Sequence, residues 1–345
     1  MADTLMPMQN IGTDNGNRGE KLDPSKRADR ALFMKVSSGE IITAFTRVSV
    51  TEGKFMERSI SEGKSAGFPV VGRSRAVYLK KGESLDSKRK QIKHSEVVIP
   101  VDELLTDDVM IFDLEDAMNS FDVRGIYNTQ LGESLAMAKD GAVLAELAIM
   151  INEGKENING LGKPVVVELE DDDGTMAGLG TKVIAGFTVA RAGLTKNYCP
   201  PKDRSAFVSP DTYSAILAAL MPDAANYQAL INPEDGTISN VMGFTIAETP
   251  HLTIGGAGME NPDDEAEAPV DQQHAFPTTG TVTDKNVIAL FGHRTAVGTV
   301  KLKDLQMEMA RRPEYQADQM IAKYAMGHKG LRPEAAGALV KKTGE

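Results

Sequence analysis

The chain has 345 residues, 41% of them hydrophobic and 25% charged, which suits one large or two medium globular domains with a sizeable core. Its 38 basic and 49 acidic residues leave a net charge of −11, which argues against non-specific gripping of nucleic acid, since that needs clustered positive charge. Cys199 is the only cysteine, so an internal disulfide and a multi-cysteine metal site are excluded and a reducing compartment fits best.

Residues 1 to about 30 are polar and glycine-bearing and read as a loose arm. They lack the basic-then-apolar pattern of a signal peptide, and no apolar run in the chain approaches the roughly 20 residues of a membrane helix. From Leu32 the chain turns apolar. Val48, Val50 and the threonines between favour a strand, while Ile41, Ile42, Phe45 and Val48 fit helical spacing, so the type there stays open. Residues 55–101 read as extended. FPVVG, AVYL and HSEVVIPV are rich in β-branched and aromatic residues, and KKGESLDSKRKQIK forms a polar turn between them. A long hairpin of this kind has little core of its own and has to rest on the remainder of the fold or on a neighbouring molecule.

Residues 102–152 contain no proline and read as helix, with apolar stripes at Ile111, Leu114, Met118 and Phe121 and again from Tyr127 to Ile149. Gly125, Gly132 and Gly141 suggest a bend. The acidic stretch around Asp171, Asp172 and Asp173 reads as a solvated turn, lacking the alternating spacing of a calcium loop. A helix then ends near Lys196. Ser209-Pro210 opens the helix DTYSAILAAL with a serine cap and proline in its first position. TISNVMGFTIAETPHL reads as strand, turn, strand, and residues 254–284 as a long acidic loop. NVIALFGH and AVGTVKL are strand-like, EYQADQMIAKYAM is helical, and LRPEAAGALV is extended after its proline.

Short motifs carry little. GKSAG at Gly63–Gly67 matches the G-x-S-x-G of serine hydrolases, which requires Ser65 on a sharp strand-to-helix turn, yet Pro69, Gly72 and a β-rich segment follow. The same residues fail as a phosphate-binding loop, because Arg58 stands where its first glycine belongs. The five histidines are scattered without the pairing of a helical metal site. No catalytic residue, cofactor or metal site is expected, so the chain is not read as an enzyme.

Local charge is more informative. Residues 73–93 hold eight basic side chains against Glu83 and Asp86, while residues 102–122 hold eight acidic side chains and no basic one. The plain interpretation is two solvated faces, since exposed pairs contribute only ~0.2–1 kcal/mol. The sharper one is a contact between copies, in which Lys88, Arg89, Lys90 and Lys93 of one chain lie over an acidic helix bearing Asp107, Asp108, Asp113, Glu115 and Asp116 of the next. Such complementarity selects partner and register. The alternatives are a nucleic-acid-binding module using the basic 73–93 hairpin and, less favoured, a hydrolase at Ser65.

Longer strings decide the class. SISEGKSAGFPVVGR, TQLGESLAMAKDGAVLAE, DTYSAILAALMPDAANYQALINPEDGTISNVMGF, and AVGTVKLKDL through QADQMIAKYAMGHKGLRPEAAGALV resemble the major capsid protein of short-tailed phages of the Autographiviridae type. The resemblance spans nearly the whole chain and is weakest at residues 1–30, 152–180 and 254–284. It implies an α+β chain with the capsid fold of tailed phages and the herpesvirus shell floor, the Johnson fold. The expected parts are an N-terminal arm (1–54), an extended β-hairpin loop (55–101), a peripheral domain with a long spine helix (102–175), an axial domain (176–297) and a return to the peripheral domain (298–345). It further implies pentamers and hexamers of this chain in an icosahedral virion capsid, assembled in the bacterial host cytoplasm with a scaffolding protein and a portal protein. DNA is enclosed only as cargo, and no membrane is involved.

Overall fold

The computed structural model describes residues 27–89, 91–113, 123–158, 160–170, 175–221, 231–232, 237–238, 240–256 and 273–342. In chain order the elements are helix α1 (Arg27–Val48) and strands β1 (Met56–Ser59), β2 (Ser65–Val71), β3 (His94–Pro100) and β4 (Leu105–Phe112). Helix α2 (Val123–Glu153), strand β5 (Val165–Leu169), helix α3 (Met176–Lys196), strand β6 (Arg204–Val208) and helix α4 (Pro210–Leu220) follow. The remainder is strands: β7 (Ile231–Asn232), β8 (Thr237–Ile238), β9 (Thr245–Glu248), β10 (Val287–His293), β11 (Val297–Arg312), β12 (Ala317–Gly330) and β13 (Ala336–Lys341). They form two compact units. One holds the residues up to Ser49, Glu103–Ala136 and Lys303–Ala325, and the other holds Val50–Asp102, Met137–Leu302 and the residues from Met326 on.

In the first unit, the segment whose type stayed open is helix α1. Ile41, Ala44 and Phe45 are buried, at the three- and four-residue spacing that puts them on one helix face. Phe45 meets the Tyr324 ring edge-on, with centroids 6.3 Å apart. Gly39 lies on the exposed side of α1, and a Cβ built there has nothing within 4 Å. Gly39→Ala should therefore stabilise this unit by about 0.5–1 kcal/mol, the cost of glycine inside a helix, seen as a higher urea midpoint. A lowered midpoint would contradict the helical assignment.

Two sequence expectations fail here. Residues 105–112, expected as helix, are strand, while Leu114, Met118 and Phe121 of the expected stripe lie outside the described residues. EYQADQMIAKYAM, expected to be helical, lies largely in β12, which pairs antiparallel with β4 from Ala317↔Phe112 to Tyr324↔Leu105. Both segments carry apolar residues at helix-compatible spacing, and each is held as strand by the long partner it finds in the other. The α2 helix is continuous through Gly125, Gly132 and Gly141. Two of those glycines serve close approach: a Cβ at Gly132 would sit 2.6 Å from the Ile41 carbonyl oxygen of α1, and one at Gly141 would collide with the Gly255 backbone.

The second unit is built on a mixed five-stranded sheet in the order β5-β13-β10-β6-β9. Its central strands are buried on both faces, as the uninterrupted apolar runs SAFV, IALF and AGALV require. Phe187 of α3, Phe244 and Phe291 of β10 form an aromatic cluster, with Phe244 5.4 Å from each of the other two rings. The expected Ser209 cap of α4 is present, its hydroxyl accepting from the Thr212 amide at 3.3 Å with Pro210 in the first turn. Thr175 caps α3 in the same way.

Candidate functional site

The site built from 55–101 is a hairpin with two different halves. β2 and β3 pair antiparallel from Ser65↔Pro100 to Val71↔His94, and the Gly72 amide donates to the Lys93 carbonyl at 2.8 Å as the last bond between the arms. Alternation puts Ala66, Phe68 and Val70 of β2, with Ile99 of β3, on the buried side. There they meet Val300, Leu331, Ile158 and Leu161 of the same unit. The lower half of the hairpin thus rests on its own chain.

Beyond Gly72 the chain is different. AVYL, expected as strand, makes none. Tyr78 is 98% exposed and Leu85 58%, and Val77, Leu79 and Ile92 are exposed as well. Local polar contacts fold the tip on itself. Ser84 caps a single 3-10 turn over Leu85–Lys88, and Lys88 bonds to the Tyr78 carbonyl at 3.0 Å and to Glu83 at 2.5 Å. That ammonium, with help from the Lys80 amide, holds the Glu83 carboxyl below its ordinary range. Arg73 anchors the root of the tip: its guanidinium carbon is 4.0 Å from the centre of the Tyr198 ring, and it donates to the Asn197 carbonyl.

Of the basic residues singled out, Lys88 and Arg89 already have acidic neighbours, Arg89 lying 3.0 Å from Asp86. Lys93 is exposed where the arms separate. Lys90, Glu115 and Asp116 lie outside the described residues. The expected acidic helix is corrected over Asp107 and Asp108, which stand on β4, the outer strand of its sheet, with no partner on its other side among the described residues. Asp108 is exposed and accepts from Gln319 Nε2 at 2.7 Å. Asp113 accepts a forked pair of bonds from Arg311, which holds its carboxyl below the ordinary range. Arg311 and Arg124 both reach Asp318 as well. The acidic run therefore has basic neighbours that a count along the chain misses.

Ser65 opens a strand paired with Pro100, not the strand-to-helix turn a hydrolase nucleophile needs. Sequence reasoning also missed two polar clusters in the second unit. Lys139 is 1% exposed, yet it pairs with Glu52 and Glu57, which both also pair with Lys301, at 3.1 and 2.7 Å. Next to it Asp140 accepts from the Val50 and Thr51 amides. A charged Lys-Asp pair inside the alanine-rich AMAKDGAVLAE was the available signal. The second cluster surrounds His274, and nothing in its local sequence marks it.

Comparison with known proteins agrees on one family. The family model described as "Gp10A-like: Major capsid protein" matches residues 67–340. The major capsid protein of Enterobacteria phage T3 is 60% identical over 343 residues, covering 96% of each chain. That of Escherichia phage T7 is 57% identical over 349 residues, covering 97% of each. Among solved structures, the capsid of Cyanophage P-SCSP1u superposes with a TM-score of 0.66 at 28% identity, over 86% of this chain and 89% of that one. With a hairpin of split character on a mixed α and β framework, and matches this long on both sequence and fold, the chain belongs to the Gp10A-like major capsid protein family.

Proposed function

We propose that this chain is the structural subunit of a phage head, assembling with copies of itself into pentamers and hexamers of an icosahedral shell that encloses double-stranded DNA. The observation that carries the reading is the hairpin tip, whose large apolar side chains are set out in water by a fold that buries one face of the rest of the same hairpin. Exposed apolar surface of this kind marks a contact site. A scaffolding protein and a portal protein are the further partners, and the host cytoplasm is the place of assembly. The working division is an arm (1–54), the extended loop (55–101), the peripheral domain (102–175 and 298–345) and the axial domain (176–297). No step of this role calls for catalysis.

Within that reading, Lys88, Arg89, Lys90 and Lys93 of one copy face Asp107, Asp108, Asp113, Glu115 and Asp116 of the next, with the open edge of β4 as the landing strip. An unpaired strand edge readily accepts another chain. The test is electron microscopy of shells made by coexpression with the scaffolding protein, comparing the parent chain with the triple variant Lys88→Glu, Arg89→Glu, Lys90→Glu. Exposed pairs contribute about 0.2–1 kcal/mol each, so three reversals weaken each contact by roughly 1–3 kcal/mol. Shell yield should fall at least several-fold, most at low salt where screening is least. Parent yield and regular shells from the triple variant would remove these residues from the contact.

A further inference from the structure

A second device lies inside one subunit, independent of how copies meet. His274 follows the stretch 257–272, and its ring lies between two carboxylates: Nδ1 is 2.8 Å from Glu146 Oε1 of α2, and Nε2 is 2.8 Å from Asp102 Oδ2. All three side chains are mostly buried. A neutral imidazole has one N–H, so it can satisfy one carboxylate and turns a lone pair on the other. Only the imidazolium donates to both.

The surroundings fix the arrangement further. From β12, the His328 ring stands nearly perpendicular to that of His274, with centroids 5.8 Å apart. It is buried and hydrogen-bonded through Nδ1 to Thr299 Oγ1 of β11 at 3.0 Å. Burial first, then the charges of His274, Lys139 and Lys301, push His328 down to about 3. Among the described residues, the groups that the structure sets against His274 are two carboxylates and one neutral ring. Burial opposes its charge, but hydrogen bonds and Coulomb attraction from Asp102 and Glu146 outweigh that and raise it to about 9.

What these contacts join is specific. Asp102 is two residues past the end of β3, where the hairpin leaves the unit's body, and its amide donates to the Met326 carbonyl at 3.1 Å. The His274 carbonyl accepts from the Gly256 amide at 3.1 Å. A Cβ at Gly256 would lie 3.0 Å from Ala142 of α2. We propose that protonated His274 is a releasable pin, tying the foot of the hairpin at Asp102 and the Gly256–His274 contact to helix α2, and that loss of its proton frees both together.

The sign follows from linkage. The folded-state value lies above the ordinary 6.5, so the pin's contribution is complete below about pH 6.5 and disappears as pH rises through about 9. The experiment is hydrogen–deuterium exchange of the full-length chain at pH 7 and pH 9.5, with each rate divided by its intrinsic value, alongside an NMR titration of the histidine Cε1 protons. Peptides 94–104 and 273–284 should lose protection together, by about tenfold or more, and the His274 signal should titrate above pH 8. His274→Gln should exchange at pH 7 as the parent does at pH 9.5, with no further pH step. Should that variant fail to fold, Glu146→Gln, which leaves one carboxylate, should move the step to lower pH. A midpoint at or below 6.5, an unmoved step in Glu146→Gln, or parent-like protection in a folded His274→Gln chain would overturn the proposal.

Discussion

A chain in which Gly72 is joined to Lys93 through a two-residue Asn-Gly turn, deleting residues 73–92, should fold and yet form no shells. The junction is suited to it. Val71↔His94 is the last paired position, the Gly72–Lys93 bond already closes the arms there, and Asn-Gly matches the twist of a two-residue hairpin turn. The buried side of the hairpin is left intact, so the circular dichroism spectrum and melting temperature should be close to the parent's. What is lost is the exposed set Val77, Tyr78, Leu79, Leu85 and Ile92. A large apolar side chain contributes about 1.5–3 kcal/mol when fully buried. Losing even two such anchors weakens each contact by about 3–6 kcal/mol, and a closed shell repeats that contact many times. The measurement is particle yield by sedimentation and electron microscopy after coexpression with scaffold. Shells of ordinary size and number would strip the tip of its assembly role.

The opposite result is expected at Phe291. It is fully buried in β10 against Phe187 and Phe244, so Phe291→Ala removes a ring from the centre of the second unit. Changes of this type cost about 3–5 kcal/mol, transfer and cavity together, a large part of the 5–15 kcal/mol that ordinary domains have. The urea midpoint should drop steeply and soluble yield should fall before assembly is reached. Tyr78→Ala, a truncation of similar size at an exposed position, should leave the midpoint unmoved. If the two variants shift it equally, the distinction between core and contact surface is wrong.

How much the sequence revealed depended on whether the deciding partner was near in the chain. The Ser209-Pro210 cap, the β10 run IALF and the strand-turn-strand around Met242 are local signals, and each reads correctly. Residues 105–112 and 317–326 misread because pairs such as Leu105 with Val109, and Met320 with Tyr324, stand four residues apart, a spacing that two periods share. Only their pairing with each other decides for strand. The same limit governs charge. Asp113 looked unpartnered because Arg311 arrives from almost two hundred residues away, and His274 carries no local mark because Asp102 and Glu146 come from distant segments. The hairpin was legible as extended and as needing support. That its lower half finds support at Val300 and Leu331 of its own chain was not. The family assignment came from long strings of matching residues, which no short motif in the chain could replace.

The placement of β13 has a kinetic consequence. It lies between β5 and β10, with Gly337 beside Val165 in parallel register, so the sheet cannot be completed until two very distant stretches meet. Searches over that separation are slow, and in the interval β5 and β10 each present a bare ladder of amides and carbonyls to whatever strand comes first. Refolding from denaturant should accordingly be sluggish and increasingly diverted into aggregates as concentration rises.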